Sequence, residues 1–240
     1  MSTAVATQAT SARGRYAWIA GIVFVIALLA ESVISTGVGL THHDSAAKIA
    51  TGLHEHRDRL LVVAYISAVY AVTFVIYLCC LYNLLRQNSE LGRILGHLVL
   101  IGGVLFVALH AVSDIGITGL LGAKLASFSY QHDQGLAYML YLMTYAVDSV
   151  GDVFGSLAAV AVGLLVMRTR ILPRWLGWVS IVAGILFFLQ GFGLGGVIAT
   201  FGLVLDLAAF VLFLTFVLAS SIILLRRGKT VQSESHPVAA

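Results

Sequence analysis

The sequence predicts an all-α fold, a polytopic membrane protein built as a bundle of six transmembrane helices, and three observations predict it. Residues of the set AVILMFWYC make up 60% of the 240 positions and charged residues only 10%, against roughly 25% charged in a soluble domain. Mean hydropathy is +0.98, which leaves no water-soluble surface to build. The apolar residues fall in runs of about 20 or longer, the length at which a helix crosses ~30 Å of hydrocarbon, and not in short alternating strands. A porin-like barrel and a soluble enzyme are excluded. The lipid bilayer is the expected partner, and no nucleic acid is expected.

The six runs cover residues 16–40, 60–85, 94–120, 136–167, 175–190 and 197–225. The first has a basic flank, Arg13 and Arg15, but continues past Glu31 without an A-x-A cleavage site, so it reads as a retained span. The second holds Cys79 and Cys80 near its inner end. Adjacent cysteines make no disulfide framework, so they read as small packing residues. The third carries His110 and Asp114. The fourth is long enough to tilt or to project from the bilayer. It carries Asp148 and Asp152 beside the small residues Gly151, Gly155, Ala159 and Gly163, four apart. The fifth is short and places Gly177, Gly184 and Gly191 seven apart. Both small-residue rows read as seams within the chain, where helices approach closely. The sixth carries Asp206. The expected organisation is a cytoplasmic tail over 1–15, a transmembrane domain over 16–225 and a cytoplasmic tail over 226–240. The tails carry no lipidation motif.

Basic residues give the orientation. Arg13, Arg15, Arg86, Arg93, Arg168, Arg170, Arg174, Arg226, Arg227 and Lys229 fall on one side, and Lys48, Arg57, Arg59 and Lys124 on the other. The richer side is cytoplasmic, so both termini are expected in the cytoplasm of a cell-membrane protein. The loops at 41–59, 121–135 and 191–196 then face outward. The inner ends of spans one, three and five read Arg15-Tyr-Ala-Trp-Ile-Ala-Gly21, Arg93-Ile-Leu-Gly-His-Leu-Val99 and Arg174-Trp-Leu-Gly-Trp-Val-Ser180, about 80 residues apart. Three repeated helical hairpins would give this pattern, as in transporters built from parallel repeats. So would interface chemistry, which favours a basic residue followed by an aromatic one.

An acid at mid-span costs roughly 2.5–3.5 kcal/mol on insertion scales, so each needs a reason. Glu31, His110, Asp114 and Asp206 fall in the outer half of their spans, with Asp148 near mid-depth and Asp152 one turn further in. His110 and Asp114, and likewise Asp148 and Asp152, are four apart and share a helix face. The fourth-span stripe continues through Tyr138, Tyr141 and Tyr145, with Ser156 one turn below. Asp148, Asp152, His110 and Asp114 are therefore the candidate catalytic residues, with Glu31, Tyr145 and Asp206 as candidate ligand contacts. Four occupants stay open. They are a structural hydrogen-bonded network, a divalent metal ion, a proton or ion coupled to transport, and a general acid acting on a lipid or isoprenoid substrate. No motif of strong metal-ligand spacing selects the second.

The first outer loop gathers His42, His43, Asp44, His54, Glu55, His56 and Asp58. Its His-x-His triplet makes His42, His54 and His56 candidate metal ligands, with His132 and Asp133 able to join them. A pH-reporting role and plain solvation are the alternatives. Gly191-Phe-Gly-Leu-Gly-Gly196 lacks a following Lys-Ser/Thr and reads as a tight membrane turn, not a phosphate loop.

The stretch Leu172-Pro-Arg-Trp-Leu-Gly-Trp-Val-Ser-Ile-Val-Ala-Gly-Ile-Leu186 begins with Pro173 at a helix start, Arg174 at the interface and Trp175 and Trp178 as anchors. It resembles an uncharacterised family of bacterial integral membrane proteins, grouped as a domain of unknown function, with a Leu-Pro-Arg-Trp-Leu-Gly element before a late span. Leu81-Tyr-Asn-Leu-Leu-Arg86 and Arg15-Tyr-Ala-Trp-Ile-Ala-Gly21 are similar to that group too. The resemblance implies a six-span bacterial membrane protein and no activity. Small membrane-embedded terpene cyclases share the size and the intramembrane acids, but no motif. The functional expectation is a polar site in the outer half of the bundle that handles a lipid-like or small amphipathic ligand. A proton-coupled small-molecule transporter and a non-catalytic membrane scaffold are the alternatives.

Overall fold

The computed structural model describes residues 2–40, 44–85, 89–191 and 199–234, and side chains from Trp18 to Arg227 within them except at 127, 129 and 199–203. His42, His43, Arg86 and the turn at 192–196 lie outside the described residues. Among the described residues there is no strand. The elements are α1 (Ser2–Thr36), α2 (Ala46–Glu55), α3 (Arg57–Leu85), α4 (Glu90–Ala111), a π-helix (Val112–Gly122), α5 (Ala123–Gln131), α6 (Gln134–Thr169), α7 (Arg174–Gly191) and α8 (Ala199–Glu234). Among the described residues, six stretches are long and apolar enough to cross a membrane: Trp18–Thr36, Arg57–Leu85, Glu90–Ala126, Gln134–Thr169, Arg174–Gly191 and Val204–Arg227. The chain is thus a multi-pass membrane protein.

Polar residues at the helix ends explain the boundaries. Ser89 Oγ accepts from the Gly92 N–H at 3.2 Å, and Asp133 Oδ1 accepts from Gly135 at 3.0 Å and Leu136 at 3.3 Å, so α4 and α6 start with capped amides. Arg170 ends α6 in the left-handed region at φ 53°. Pro173, which has no N–H to leave unpaired, precedes α7. The first span stops at Thr36 and not at residue 40. Backbone turns over Ile34–Gly39 follow, with Gly39 at φ 65°.

Two stretches read as outer loops contain helices. In 41–59, Ser45 caps α2, and Ile49, Ala50 and Leu53 pack with Leu60, Ala126 and Ala137. In 121–135, α5 continues the third span beyond the bilayer-length stretch. Both helices are short and half polar, so their apolar residues never form a run that hydropathy would register.

Helix α6 is the centre of the bundle. Some 61% of its most apolar window is buried, against 22–39% for the other spans. It packs on α7, α4, the π-helix and α2, while α1 lies between α3 and α8. The small-residue rows are internal seams. A Cβ on Gly163 would lie 2.6 Å from the Gly177 carbonyl oxygen, and one on Gly177 would lie 3.0 Å from that of Gly163, so only glycine permits this α6–α7 approach. Ser180 Oγ donates to the Ala159 carbonyl across the seam at 2.7 Å. On the other side of the bundle, the buried hydroxyls of Tyr77 and Ser220 join α3 to α8 at 2.7 Å.

Candidate functional site

The site lies where α6 faces the junction of α4 and the π-helix. Antiparallel packing sets its rungs. Gly155 receives Phe106, since a Cβ there would stand 2.5 Å from the ring. One turn on, Gly151 receives His110, with a Cβ position 2.8 Å from Cε1 and from Nδ1. Above them Ser113 Oγ donates to Asp148 Oδ2 at 3.0 Å and lies 3.4 Å from the Thr144 carbonyl oxygen. The glycine row thus makes room for the polar side chains of the neighbouring span.

His110 has one ring nitrogen assigned by its surroundings. Nδ1 lies 2.9 Å from the Phe106 carbonyl oxygen, which can only accept, so Nδ1 carries a hydrogen. Nε2 then faces Asp152 Oδ1 at 3.6 Å. That separation is within ion-pair range and just beyond a direct hydrogen bond. Asp152 is 5% exposed.

The π-helix divides the work of its residues. Its i→i+5 bonding widens the turn, a feature frequent at functional sites. His110, at the end of α4, reaches α6. Asp114, four residues on, turns to α3 and accepts a hydrogen bond from the Tyr70 hydroxyl. The fully buried Ser67 lies beside both. Gly119 lets the π-helix settle on Ala64 of α3, where a Cβ would come 2.4 Å from the alanine methyl.

Electrostatic influence, which reaches beyond contact distance, links the candidate acids. Glu31 of α1 interacts with Asp114, and Asp148 interacts with Asp114, Asp152 and Glu31. His110 interacts with Asp114, and Asp152 with Asp206 of α8. Asp206 in turn accepts from Gln190 Nε2 of α7 at 2.9 Å. The structure therefore places Glu31, His110, Asp114, Asp148, Asp152 and Asp206 within electrostatic range of neighbours in the same set, with His110 and Asp152 as the pair in direct reach. Tyr145 is 44% exposed. Tyr138 and Tyr141 belong to the α2 cluster, where Tyr141 Oη donates to the Leu40 carbonyl at 3.1 Å.

Below the polar group lies an apolar cavity of about 40 Å³. Phe74, Phe106, Phe187 and Phe213 line it, with Gly155 and Ala183 among the small residues of its wall. Phe106 is shared by both regions. Its ring lies 4.4 Å from that of His110 and 5.6–6.1 Å from Phe213, Phe187 and Phe74. Phe106 therefore stands between the polar group and the cavity.

The histidine-rich segment is arranged differently. His54, on α2, stacks on Tyr130 of α5 with ring centres 4.8 Å apart and planes 7° from parallel. His56 is the C-cap of α2. Asp44 pairs with Lys48 at 2.8 Å. Among the described residues, no three His, Cys, Asp or Glu side chains are grouped to hold a metal ion.

Sequence reasoning missed Tyr70, Ser67, Ser113 and Gln190. Their signal was a hydroxyl within a span, or an amide at a span's end, facing inward, which only the packing reveals. Compared with known proteins, residues 19–227 match one family model, described as a domain of unknown function (DUF4386). Neither the curated proteins nor the solved structures give a match.

Proposed function

The chain belongs to the DUF4386 family, and from that premise we propose that its members of this form bind a small amphipathic, lipid-like molecule within the bundle. The observation that carries this reading is the shared wall. Phe106 and Gly155 border the apolar cavity, and the same Phe106 packs on His110 of the His110–Asp152 pair. A ligand with one polar and one apolar end fits such a space, since binding sites are mostly apolar with a few convergent polar groups. Asp148, Asp152, His110 and Asp114 would hold the polar end, with Glu31 and Asp206 beside them. The cost of placing acids inside a span supports a role for them beyond packing.

The distribution of basic residues supports an orientation with both termini cytoplasmic. The site then lies in the outer half of the bilayer, and α2 and α5 cover its outer end.

The test is extraction and mass spectrometry of protein purified in mild detergent. Wild type is expected to carry a small amphipathic molecule that Asp148→Asn and Asp152→Asn proteins, folded and inserted to the same level, have lost. Identical extracts from all three would overturn the reading.

A further inference from the structure

Separately from that site, we infer that an anionic phospholipid docks on the lipid-facing surface of the bundle, with an acyl chain in a groove between α4, α6 and α7 and its headgroup phosphate on Arg168 and Arg174. The groove holds about 300 Å³ and shares no lining residue with the phenylalanine cavity.

The lining asks for hydrocarbon. Leu95 and Leu98 of α4, Leu157 and Leu164 of α6, and Ile185 and Phe188 of α7 form its walls. Ser156, the polar side chain among them, already donates to the Val153 carbonyl at 2.7 Å. Gly184 closes the base, where a Cβ would stand 2.9 Å from the Ser156 carbonyl oxygen. Leu98, Leu157, Ile185 and Phe188 are exposed, so the groove opens sideways, toward lipid. A recess within an apolar medium fills, because unfilled space forfeits dispersion contacts.

The dimensions fit one leaflet. At 1.5 Å per residue, Ser156 and Arg168 lie about 18 Å apart along α6, and Phe188 and Arg174 about 21 Å apart along α7. Half a bilayer, chains and headgroup region together, is about 20–22 Å deep. With the two arginines at headgroup level, the far end of the groove therefore reaches the midplane.

Charge selects the headgroup. Both of these walls run into an arginine. At 3.6 residues per turn, Arg168 stands about 20° from Leu157 around α6, and Arg174 about 20° from Ile185 around α7. Trp178, exposed one turn beyond Arg174, supplies the aromatic anchor usual at this depth. Both arginines are exposed, and among the described residues neither forms an ion pair. Arg170 and Arg227 add positive charge at the same turn, where Arg227 donates to the Ile171 carbonyl. Against them stands Glu90, in the first turn of α4. Guanidinium matches phosphate geometry, and basic sites between spans hold anionic headgroups. A second copy related by a two-fold axis would bring its own arginines against these, so like charge disfavours it as the occupant.

The experiment is native mass spectrometry of the full chain in mild detergent, titrated with phosphatidylglycerol and phosphatidylcholine of identical acyl chains. One phosphatidylglycerol is expected to bind about tenfold tighter, or more, than phosphatidylcholine. Arg168→Gln and Arg174→Gln should each weaken it about fivefold, the factor that a single basic residue near anionic lipid is worth. Arg93→Gln removes the same charge at the same end, but about 160° from Leu95 around α4, and should leave binding unchanged. Leu164→Trp fills the groove, keeps every arginine and should weaken binding as much as either arginine variant. Equal affinity of the wild type for the two lipids would overturn the assignment, whatever the variants do. So would equal losses in Arg93→Gln and Arg168→Gln, or a dimer that excludes phosphatidylglycerol. Asp148→Asn should bind phosphatidylglycerol as wild type does, so this result and the extraction experiment fail or succeed independently.

Discussion

At Gly151 and Gly155 a missing side chain is what lets a histidine and a phenylalanine lie against α6. A methyl group at either position meets a ring at 2.8 or 2.5 Å, and rings held between helices do not yield cheaply. Gly151→Ala and Gly155→Ala should each cost ~1–3 kcal/mol, the range for overpacking. Gly116→Ala, where a Cβ meets nothing within 4 Å, should change stability by less than about 1 kcal/mol. Reversible unfolding in mixed micelles measures all three, and equal effects would contradict the packing described. The charged members of the site were legible from sequence because a carboxyl inside a span is expensive. Tyr70, Ser67 and Ser113 were not. A hydroxyl costs little in a helix and is as often bonded to its own backbone, as Thr73 is to Val69 at 2.8 Å. Tyr145 shows the converse: sharing a stripe with Asp148 did not make it buried.

At the scale of the element, the six spans were readable because bilayer thickness imposes their length. The π-helix was not. Over Val112–Gly122 eight of the eleven residues are apolar or glycine, so no alternation of polarity reveals whether the turn is α or π. Yet the junction of α4 with that segment sends His110 and Asp114 to different neighbours, which their spacing of four did not foretell. Helices α2 and α5 escaped notice because each buries only a few residues, against each other and α6. Their side of the membrane follows from the orientation proposed above and can be read by thiol labelling. In a background lacking Cys79 and Cys80, Lys124→Cys on α5 should react with an impermeant maleimide added to intact cells. Arg168→Cys near the end of α6 should react only after the membrane is opened. Both sites are exposed, so the reverse pattern would invert the topology.

At the scale of the whole molecule, the decisive fact is which helices meet. Periodicity gives each helix a face but no neighbour, so the sequence could place acids at one depth without placing them together. Packing around α6 supplies the rest. Its contacts with α4, the π-helix and α7, and theirs with α3 and α8, bring polar side chains of all six spans to one end of the bundle, with the aromatic core beneath them.

The most direct test of that convergence is solid-state NMR dipolar recoupling between ¹⁵N-labelled histidine and ¹³C-labelled aspartate in lipid. The structure places His110 Nε2 3.6 Å from Asp152 Oδ1. A cross-peak between a ring nitrogen and a side-chain carboxyl carbon should therefore be present in wild type and absent from protein carrying Asp152→Leu. If no cross-peak depends on Asp152, α4 and α6 do not bring this pair together, and the site as described does not exist.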